Sequence, residues 1–209
     1  DGLRKRGINY KVFGGLSFYQ RKEIKDIMAY LKLILNKNDE ASLLRIINYP
    51  SRGIGTTTVD KIRTQAKQEK VSIWDILNST KLDKLQLTGG SKKKVIFFRD
   101  MINSFSKHIS NNIFNLTEEV MRKTGIIENL KEDPSTENIN KLENISELLN
   151  SIKIFSLRPN NNSLLDFINE VSLDETKDQE IQQDKEYVSL MTIHQSKGLE
   201  FNNVYIVGV

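Results

Sequence analysis

Apolar residues recur at every third or fourth position through most of this 209-residue chain, a spacing that predicts a mainly helical protein. Similar stripes predict helices at 21–35, 40–49, 57–69, 92–110, 134–158 and from 163 onward. The clearest stripe would occupy one face of the first of these helices: Ile24, Ile27, Met28, Leu31, Ile34 and Leu35. Residues that favour helix N-termini precede several of the stripes, and the predicted N-caps are Asp39, Ser72, Asn115 and Asp133.

The two ends of the chain lack this helical spacing. Residues 9–13 alternate enough to predict a short strand, which Gly14 and Gly15 would break. Near the other end, an apolar β-branched run from Val188 stops at a polar loop, and a second β-rich run follows at 203–209. The pattern predicts that both ends belong to one incomplete sheet and that the helical middle is an insertion. The charged stretch 174–186 predicts a mobile connector.

The polar loop between the two C-terminal β-rich runs carries Thr192, His194, Gly198 and Glu200. In open α/β sheets, ligands bind at loops that follow the carboxyl ends of strands. We therefore expect the chemistry of the sheet region to concentrate between Thr192 and Glu200.

A second candidate site is the segment Arg52-Gly53-Ile54-Gly55-Thr56, between two predicted helices. Two glycines one residue apart let a ligand approach the backbone, and the N–H groups that start the next helix favour an anion. Helix-hairpin-helix modules use this arrangement to grip the sugar-phosphate backbone regardless of sequence. The alternative is a tight interhelical turn that needs glycine for its own geometry, capped by Thr56. Arg52 beside the turn favours phosphate binding.

Composition narrows the classes of function. The chain has no Cys, which excludes a thiolate nucleophile, a disulfide framework and a Cys-ligated zinc site, and which fits a reducing cytoplasm. No apolar run approaches the roughly 18 residues of a membrane span, and the first residues lack the apolar core of a signal peptide. We therefore expect a cytoplasmic protein without a membrane partner. Net charge is only +4, so nucleic-acid binding must depend on local basic clusters such as Lys92-Lys93-Lys94.

Two groups of residues invite a catalytic interpretation that the pattern does not favour. Asp39-Glu40-Ala41-Ser42 superficially resembles the acidic box of a nucleotide hydrolase, but a polar turn precedes it, and helix capping is the favoured interpretation. His108 has no metal ligand at suitable spacing, which favours a surface or capping role. The chain also contains no Gly-x-x-x-x-Gly-Lys-[Ser/Thr] phosphate loop. We expect no catalytic residue, no metal site and no ATP hydrolysis in this piece alone.

Two separated blocks resemble one helicase family. Residues 14–26, with Leu43-Leu44-Arg45-Ile46-Ile47-Asn48 and Arg52-Gly53-Ile54-Gly55, closely resemble motif IVa and the following hairpin of the UvrD/PcrA/Rep helicases of superfamily 1. Residues 190–201 resemble motif V of that family, with Ile193 and Ser196 in place of its usual Leu and Ala. The resemblance covers essentially the whole chain and is weakest at 78–186.

The resemblance implies a mainly α fragment in which a multi-helix subdomain, called 2B, is inserted into a truncated RecA-like α/β subdomain, called 2A. Residues 1–20 and 184–209 would belong to 2A, and residues 21–183 to 2B. Enzymes of this family couple ATP hydrolysis to 3′ to 5′ translocation on single-stranded DNA and to unwinding. ATP and Mg²⁺ would therefore be cofactors of the full-length enzyme, with neither expected on this fragment.

The resemblance also assigns site residues. In motif V, Thr192 and His194 would meet the DNA backbone or couple the DNA site to the nucleotide site. Gly198 and Glu200 would approach the nucleotide, the carboxylate accepting from a ribose hydroxyl. The hairpin would hold duplex phosphates through Arg52, Gly53, Ile54, Gly55 and Thr56, and Lys25 would add a backbone contact.

Two other classes of function stay open from the sequence. The chain could be a stand-alone DNA-binding module of helix-hairpin-helix type without ATPase activity, or a helical adaptor that docks other proteins. The strand-loop-strand pattern at the C-terminal end argues against both, because a self-contained helical module has no use for an incomplete sheet. Protein partners of the 2B part are also possible.

Overall fold

The computed structural model describes residues 3, 6, 8, 10–12, 18–110, 112–160, 162–179, 187–191, 193–194 and 196–207. These ranges contain ten α-helices, which confirms the prediction of a mainly helical protein. The helices are α1 (Lys22–Leu35), α2 (Glu40–Ile46), α3 (Thr56–Glu69), α4 (Ile73–Leu77), α5 (Lys81–Lys84), α6 (Gly89–Ser106), α7 (Ile113–Thr124), α8 (Ile126–Lys131), α9 (Thr136–Ser156) and α10 (Leu164–Gln179). No helix in the described ranges is long and apolar enough to cross a membrane.

Helix α1 lies at the centre of the core. Ten of its fourteen residues are buried, and it packs against α2, α6, α7, α9 and α10. The apolar stripe predicted for it is buried except at Leu35, which is half-buried. Each fully buried Ile or Leu contributes about 1.5–3 kcal/mol relative to an exposed one. Burial of this stripe therefore holds the surrounding helices in place.

Polar contacts fix α1 against two of its neighbours. The buried carboxylate of Asp26 accepts from Nε of Arg45 on α2 at 2.7 Å. Asn144 of α9 donates to Oε1 of Glu23 at 2.6 Å, and Arg21 donates to Asn144. Burial raises the pKa of Asp26, an effect that the guanidinium of Arg45 partly offsets. These bonds align the start of α1 with α2 and α9.

Helix caps confirm some sequence predictions and correct others. Asp39 accepts from the amide of Ser42 at 2.9 Å, which confirms capping at the acidic tetrapeptide, and Ser72 forms a capping box with Asp75. The predicted cap Asn115 is wrong, because Asn112 caps α7 by accepting from the amide of Phe114 at 2.8 Å. Asn112 and Asn115 are three positions apart and have the same side chain, so residue type alone does not show which of them caps α7.

The predicted N-cap Asp133 is also wrong. The N-cap of α9 is Ser135, whose side chain accepts from the amide of Asn138. Asp133 instead accepts from the side chain of Asn138 at 3.1 Å, so its carboxylate contacts the first turn of the helix without capping it. A hydroxyl two residues nearer the helix competes successfully for the capping position.

Three predicted boundaries also change. Helix α6 starts at Gly89 rather than at residue 92, because Thr88 caps it, and it ends at Ser106 rather than at residue 110. The short helix α5 lies in the interval between the helices predicted at 57–69 and 92–110, where no apolar stripe indicates it. Helix α10 continues to Gln179, into the stretch predicted as a mobile connector, and residues 180–186 lie outside the described ranges. The backbone hydrogen bonds of a helix can continue past the last residue of its apolar stripe. The apolar periodicity therefore does not show where the helix ends.

The two ends of the chain pair as a small parallel sheet. Strand β1 (Tyr10–Val12) pairs with β2 (Val188–Leu190), with Tyr10 opposite Val188 and Val12 opposite Leu190. This pairing confirms that both ends contribute to one sheet. The second β-rich run, predicted at 203–209, is not a strand over 203–207, where the chain is irregular and exposed. No neighbouring strand in the described ranges offers it a ladder of hydrogen bonds, and strand formation requires one.

Candidate nucleic-acid interface

The glycine turn at residues 52–55 is held by one side-chain oxygen. Oδ1 of Asn48 accepts from the amide of Arg52 at 2.9 Å and from the amide of Ile54 at 3.0 Å. Gly53 lies between these two donors with φ of 66°, in the left-handed region that favours glycine. The side chain of Ile54 is 1% exposed and anchors the turn in the core. The amide of Ile54 is paired and its side chain is buried, so contact of Ile54 with DNA stays a prediction.

Arg52 supports the turn from inside. Its Nη1 donates to three main-chain carbonyls, those of Ile46 at 3.1 Å, Tyr49 at 2.7 Å and Pro50 at 3.2 Å. Its guanidinium also lies 5.7 Å from the ring centroid of Phe98 on α6. The structure therefore gives Arg52 a positioning role at the end of α2, and direct contact with phosphate stays a prediction.

Tyr30 of α1 completes this support. Its hydroxyl donates to the carbonyl of Tyr49 and accepts from Nη2 of Arg52. Burial raises the pKa of Tyr30 to about 12, an effect that the guanidinium of Arg52 opposes. The phenol therefore stays protonated near neutral pH and keeps its donor.

The start of α3 offers free donors beside the turn. The N-cap is Gly55 rather than Thr56, and no side chain caps the helix. Within the described residues, the amides of Gly55, Thr56 and Thr57 donate to no other group, and all three residues are exposed. Unpaired amides at the N-terminus of a fourteen-residue helix attract an anion, because the helix dipole adds to their partial charges.

A lysine from a distant part of the chain joins the turn. Nζ of Lys94 on α6 donates to the carbonyl of Gly53 at 3.3 Å. Lys94 forms no ion pair with a described residue, whereas Lys92 pairs with Asp83 at 2.6 Å. The charge of Lys94 therefore lies at Gly53, two residues before the first open amide, without a neutralising carboxylate among the described residues.

The structure places Lys25 on α1 and away from these bonds. Its side chain is half-buried, and it makes no ion pair with any described residue. Its proposed contact with the DNA backbone stays a prediction.

The C-terminal loop forms a second exposed region. Turn hydrogen bonds run from the amide of Leu199 to Ser196 and from the hydroxyl of Ser196 to Ile193, and Gly198 has φ of 83°. His194, Gly198 and Glu200 are exposed, while Thr192 lies outside the described residues. A carboxylate can accept a hydrogen bond from a hydroxyl, and contact of Gly198 and Glu200 with a nucleotide stays a prediction. No other part of a nucleotide site adjoins them in the described chain.

Two residues important to the turn were not anticipated from the sequence. Asn48 follows an apolar helix and precedes Tyr49-Pro50, a position that suggests only a turn. Lys94 belongs to the basic cluster Lys92-Lys93-Lys94. Its contact with Gly53 joins residues 41 positions apart, which no local sequence pattern predicts. His108 instead behaves as expected for a surface residue, with Nδ1 2.7 Å from Oε2 of Glu119. No cluster of metal-binding side chains occurs in the described ranges.

Comparison with known proteins gives a consistent picture. The family described as UvrD-like helicase C-terminal domain matches residues 1–209. The ATP-dependent DNA helicase PcrA of Bacillus subtilis strain 168 is 37% identical over 217 residues, which cover 100% of this chain and 29% of that protein. PcrA of Staphylococcus epidermidis strain RP62A is 38% identical and PcrA of Staphylococcus aureus strain Mu50 is 36% identical, each with 28% of its length covered. The chain thus spans less than a third of these relatives.

Proposed function

Because the chain belongs to the family of UvrD-like helicase C-terminal domains, we propose that it is the 2B subdomain of an ATP-dependent 3′ to 5′ DNA helicase with flanking parts of subdomain 2A. Residues 21–183 form 2B in this proposal, and residues 1–20 and 184–209 belong to 2A. The parallel pairing of β1 with β2 supports an insertion, because the helical block starts and ends at neighbouring strands.

The task of this chain within the helicase is to hold duplex DNA. The open amides of Gly55, Thr56 and Thr57 carry this proposal, since they form an anion site on the surface with Lys94 nearby. Main-chain donors contact phosphates of any base sequence, so binding is insensitive to sequence. Gly53 and Ile54 shape the turn, and Arg52 holds it from below.

Nucleotide chemistry depends on parts of the helicase beyond these residues. ATP hydrolysis with Mg²⁺ supplies the free energy for translocation and unwinding. Gly198 and Glu200 would contact the edge of the nucleotide, and Thr192 and His194 would contact the backbone of single-stranded DNA. The chain by itself contains no phosphate loop, so it should show no DNA-stimulated ATP turnover. Robust ATP turnover by the purified chain would refute the proposal that ATP hydrolysis depends on other parts of the helicase.

Duplex binding tests the proposal directly. The chain should bind a blunt DNA duplex in fluorescence anisotropy, with similar affinity for unrelated sequences and with affinity that falls as salt rises. Gly55→Leu should weaken binding at least tenfold, because its side chain would cover the three amides. The fold should survive, because a Cβ at Gly55 meets no atom within 4 Å and φ is −73°.

A matched variant shows whether Gly55→Leu blocks the glycine turn or whether a leucine at any helix N-terminus lowers duplex affinity. Thr136 is an exposed first residue of α9, another long helix, and Thr136→Leu should leave duplex affinity unchanged. Equal affinities for the wild type and Gly55→Leu would remove the turn from the interface. Failure of the wild type to bind any DNA would favour the helical adaptor, whereas the paired strands and the family match argue against a stand-alone module.

A further inference from the structure

Phe97 is the one large apolar side chain of α6 that is exposed. Its side chain is 63% exposed, whereas its neighbours Val95 and Phe98 on α6 are fully buried. A single exposed apolar residue is ordinary on a protein surface and indicates nothing alone. The surroundings of Phe97 are what distinguish it, because its ring lines a shallow groove together with Arg52, Lys93 and Lys94.

The groove combines one aromatic ring with positive charge that has no counter-charge. Lys93 is exposed and forms no ion pair with a described residue, and Lys94 donates only to the carbonyl of Gly53. The acid one turn beyond Phe97 is Asp100, which Arg99 pairs at 2.8 Å. The groove thus has an apolar floor and a cationic rim.

The groove is continuous with the glycine turn. Lys94 touches Gly53, and Arg52 both lines the groove and holds the turn. Lys93 and Phe97 are four residues apart on α6, which separates them by about 6 Å along the helix axis and places them on one face. A strand held at the turn can therefore extend over Phe97 without leaving the surface.

We propose that Phe97, Lys93 and Lys94 form a site for one unpaired nucleotide beside the glycine turn. The base stacks on the ring of Phe97, and the flanking phosphates lie against the two lysines. Aromatic rings bind the faces of bases, which are available only where strands are unpaired, whereas cations bind phosphates of any strand. The surface would thus favour the end of a duplex that continues as a single strand.

This inference rests on the proposed function, since the same DNA would occupy the turn and the groove. The test compares a blunt duplex with the same duplex carrying a short single-stranded extension, using the whole 209-residue chain in fluorescence anisotropy. The extension should raise affinity, and Phe97→Ala should reduce that advantage by roughly 5- to 100-fold. Phe97→Trp retains a stacking ring and should keep the advantage.

Two controls sharpen the comparison. Ile154→Ala removes another exposed apolar side chain, 69% exposed on α9, and should leave the advantage intact. Extensions built of abasic nucleotides keep the phosphates but remove the bases. On those extensions, Phe97→Ala should bind as tightly as the wild type, because the interaction that it removes is already absent.

The charged rim has its own readout. Lys93→Gln should weaken binding of every substrate and reduce the slope of log affinity against log salt by about 1. Lys107→Gln, an exposed lysine just beyond the opposite end of α6, should leave that slope unchanged.

Different outcomes refute different statements. If the wild type binds no blunt duplex, the proposed function fails first. If it binds the blunt duplex but Phe97→Ala keeps the full advantage of the extension, only the inference fails. Displacement of the extension by a poly-glutamate peptide at equal charge concentration would identify the groove as a docking site for acidic protein segments and would overturn the inference.

Discussion

At the scale of single residues, the glycine turn depends on a few side chains with separate tasks. Asn48 accepts two amides, Arg52 donates to three carbonyls, and Tyr30 binds both Arg52 and the carbonyl of Tyr49. Leaving a buried carbonyl without a donor costs about 1–3 kcal/mol, which explains why these groups form a closed set. The groups that face solvent are the amides at the start of α3, which the supporting residues do not use.

The two glycines of the turn should respond differently to substitution. Gly53→Ala should lower the free energy of unfolding by about 1–2 kcal/mol, because an L side chain is strained at φ of 66°. Its Cβ would also clash with Nζ of Lys94, which would have to move. Gly55→Ser should be neutral or stabilising by a few tenths of a kcal/mol, because serine is a favoured N-cap in extended backbone.

Urea unfolding followed by circular dichroism measures both changes. Equal losses at Gly53 and Gly55 would contradict the assignment of backbone strain to Gly53 alone. The serine hydroxyl at position 55 would also compete for the amide of Thr57, so Gly55→Ser should bind duplex less tightly than the wild type despite its stability.

The sequence predicted the parts of this structure that repeat and missed the parts that depend on distant contacts. The stripe from Ile24 to Leu35 predicted α1 and its buried face, because helical periodicity is a local property. The paired glycines predicted a turn that precedes a helix. The contact between Lys94 and Gly53 and the exposure of Phe97 required the packing of α6 against the turn, which no local pattern encodes.

At the scale of elements, α1 packs against α2, α6, α7, α9 and α10, and its C-terminal end has an unusual cap. Nζ of Lys37 donates to the carbonyls of Leu33 and Ile34, at 3.3 and 3.4 Å, and to the hydroxyl of Ser106 on α6. The ammonium also lies 5.1 Å from the ring centroid of Trp74. The ammonium of Lys37 thus contacts the C-terminal ends of α1 and α6 and the ring of Trp74.

Stability should depend on pH through Lys37. Burial lowers its pKa to about 8 in the folded chain, against an ordinary value of 10.5. Between these values the unfolded chain binds more protons, so the contribution of Lys37 to stability rises with pH from about 8 to about 10.5. Lys37→Met keeps the apolar stem and should remove this rise.

Urea unfolding at several pH values across this window gives the difference in unfolding free energy between wild type and Lys37→Met. Because both proteins contain the same tyrosines, this difference separates the titration of Lys37 from that of the tyrosines. A difference that stays constant with pH would contradict it.

At the scale of the whole molecule, the helical block contains the core and the sheet does not. The buried apolar residues run from Ile24 to Val171, and the described residues of β1 and β2 add none. The helical block therefore holds its own shape without buried apolar area from the described residues of the two strands.

A shortened chain tests this separation. Residues 18–179 alone should unfold cooperatively, with a midpoint in urea close to that of the whole chain, because every buried apolar contact is retained. Duplex binding through the glycine turn should persist. Loss of cooperative unfolding would show that the short strands stabilise the helices more than their burial indicates.

The irregular segment 203–207 has a consequence for the isolated chain. Val204, Tyr205, Ile206 and Val207 are 67–88% exposed and have strong preference for strand structure. Exposed segments of this composition can pair edge to edge with copies of themselves and aggregate. The chain should therefore self-associate at high concentration, and Tyr205→Lys should suppress that association.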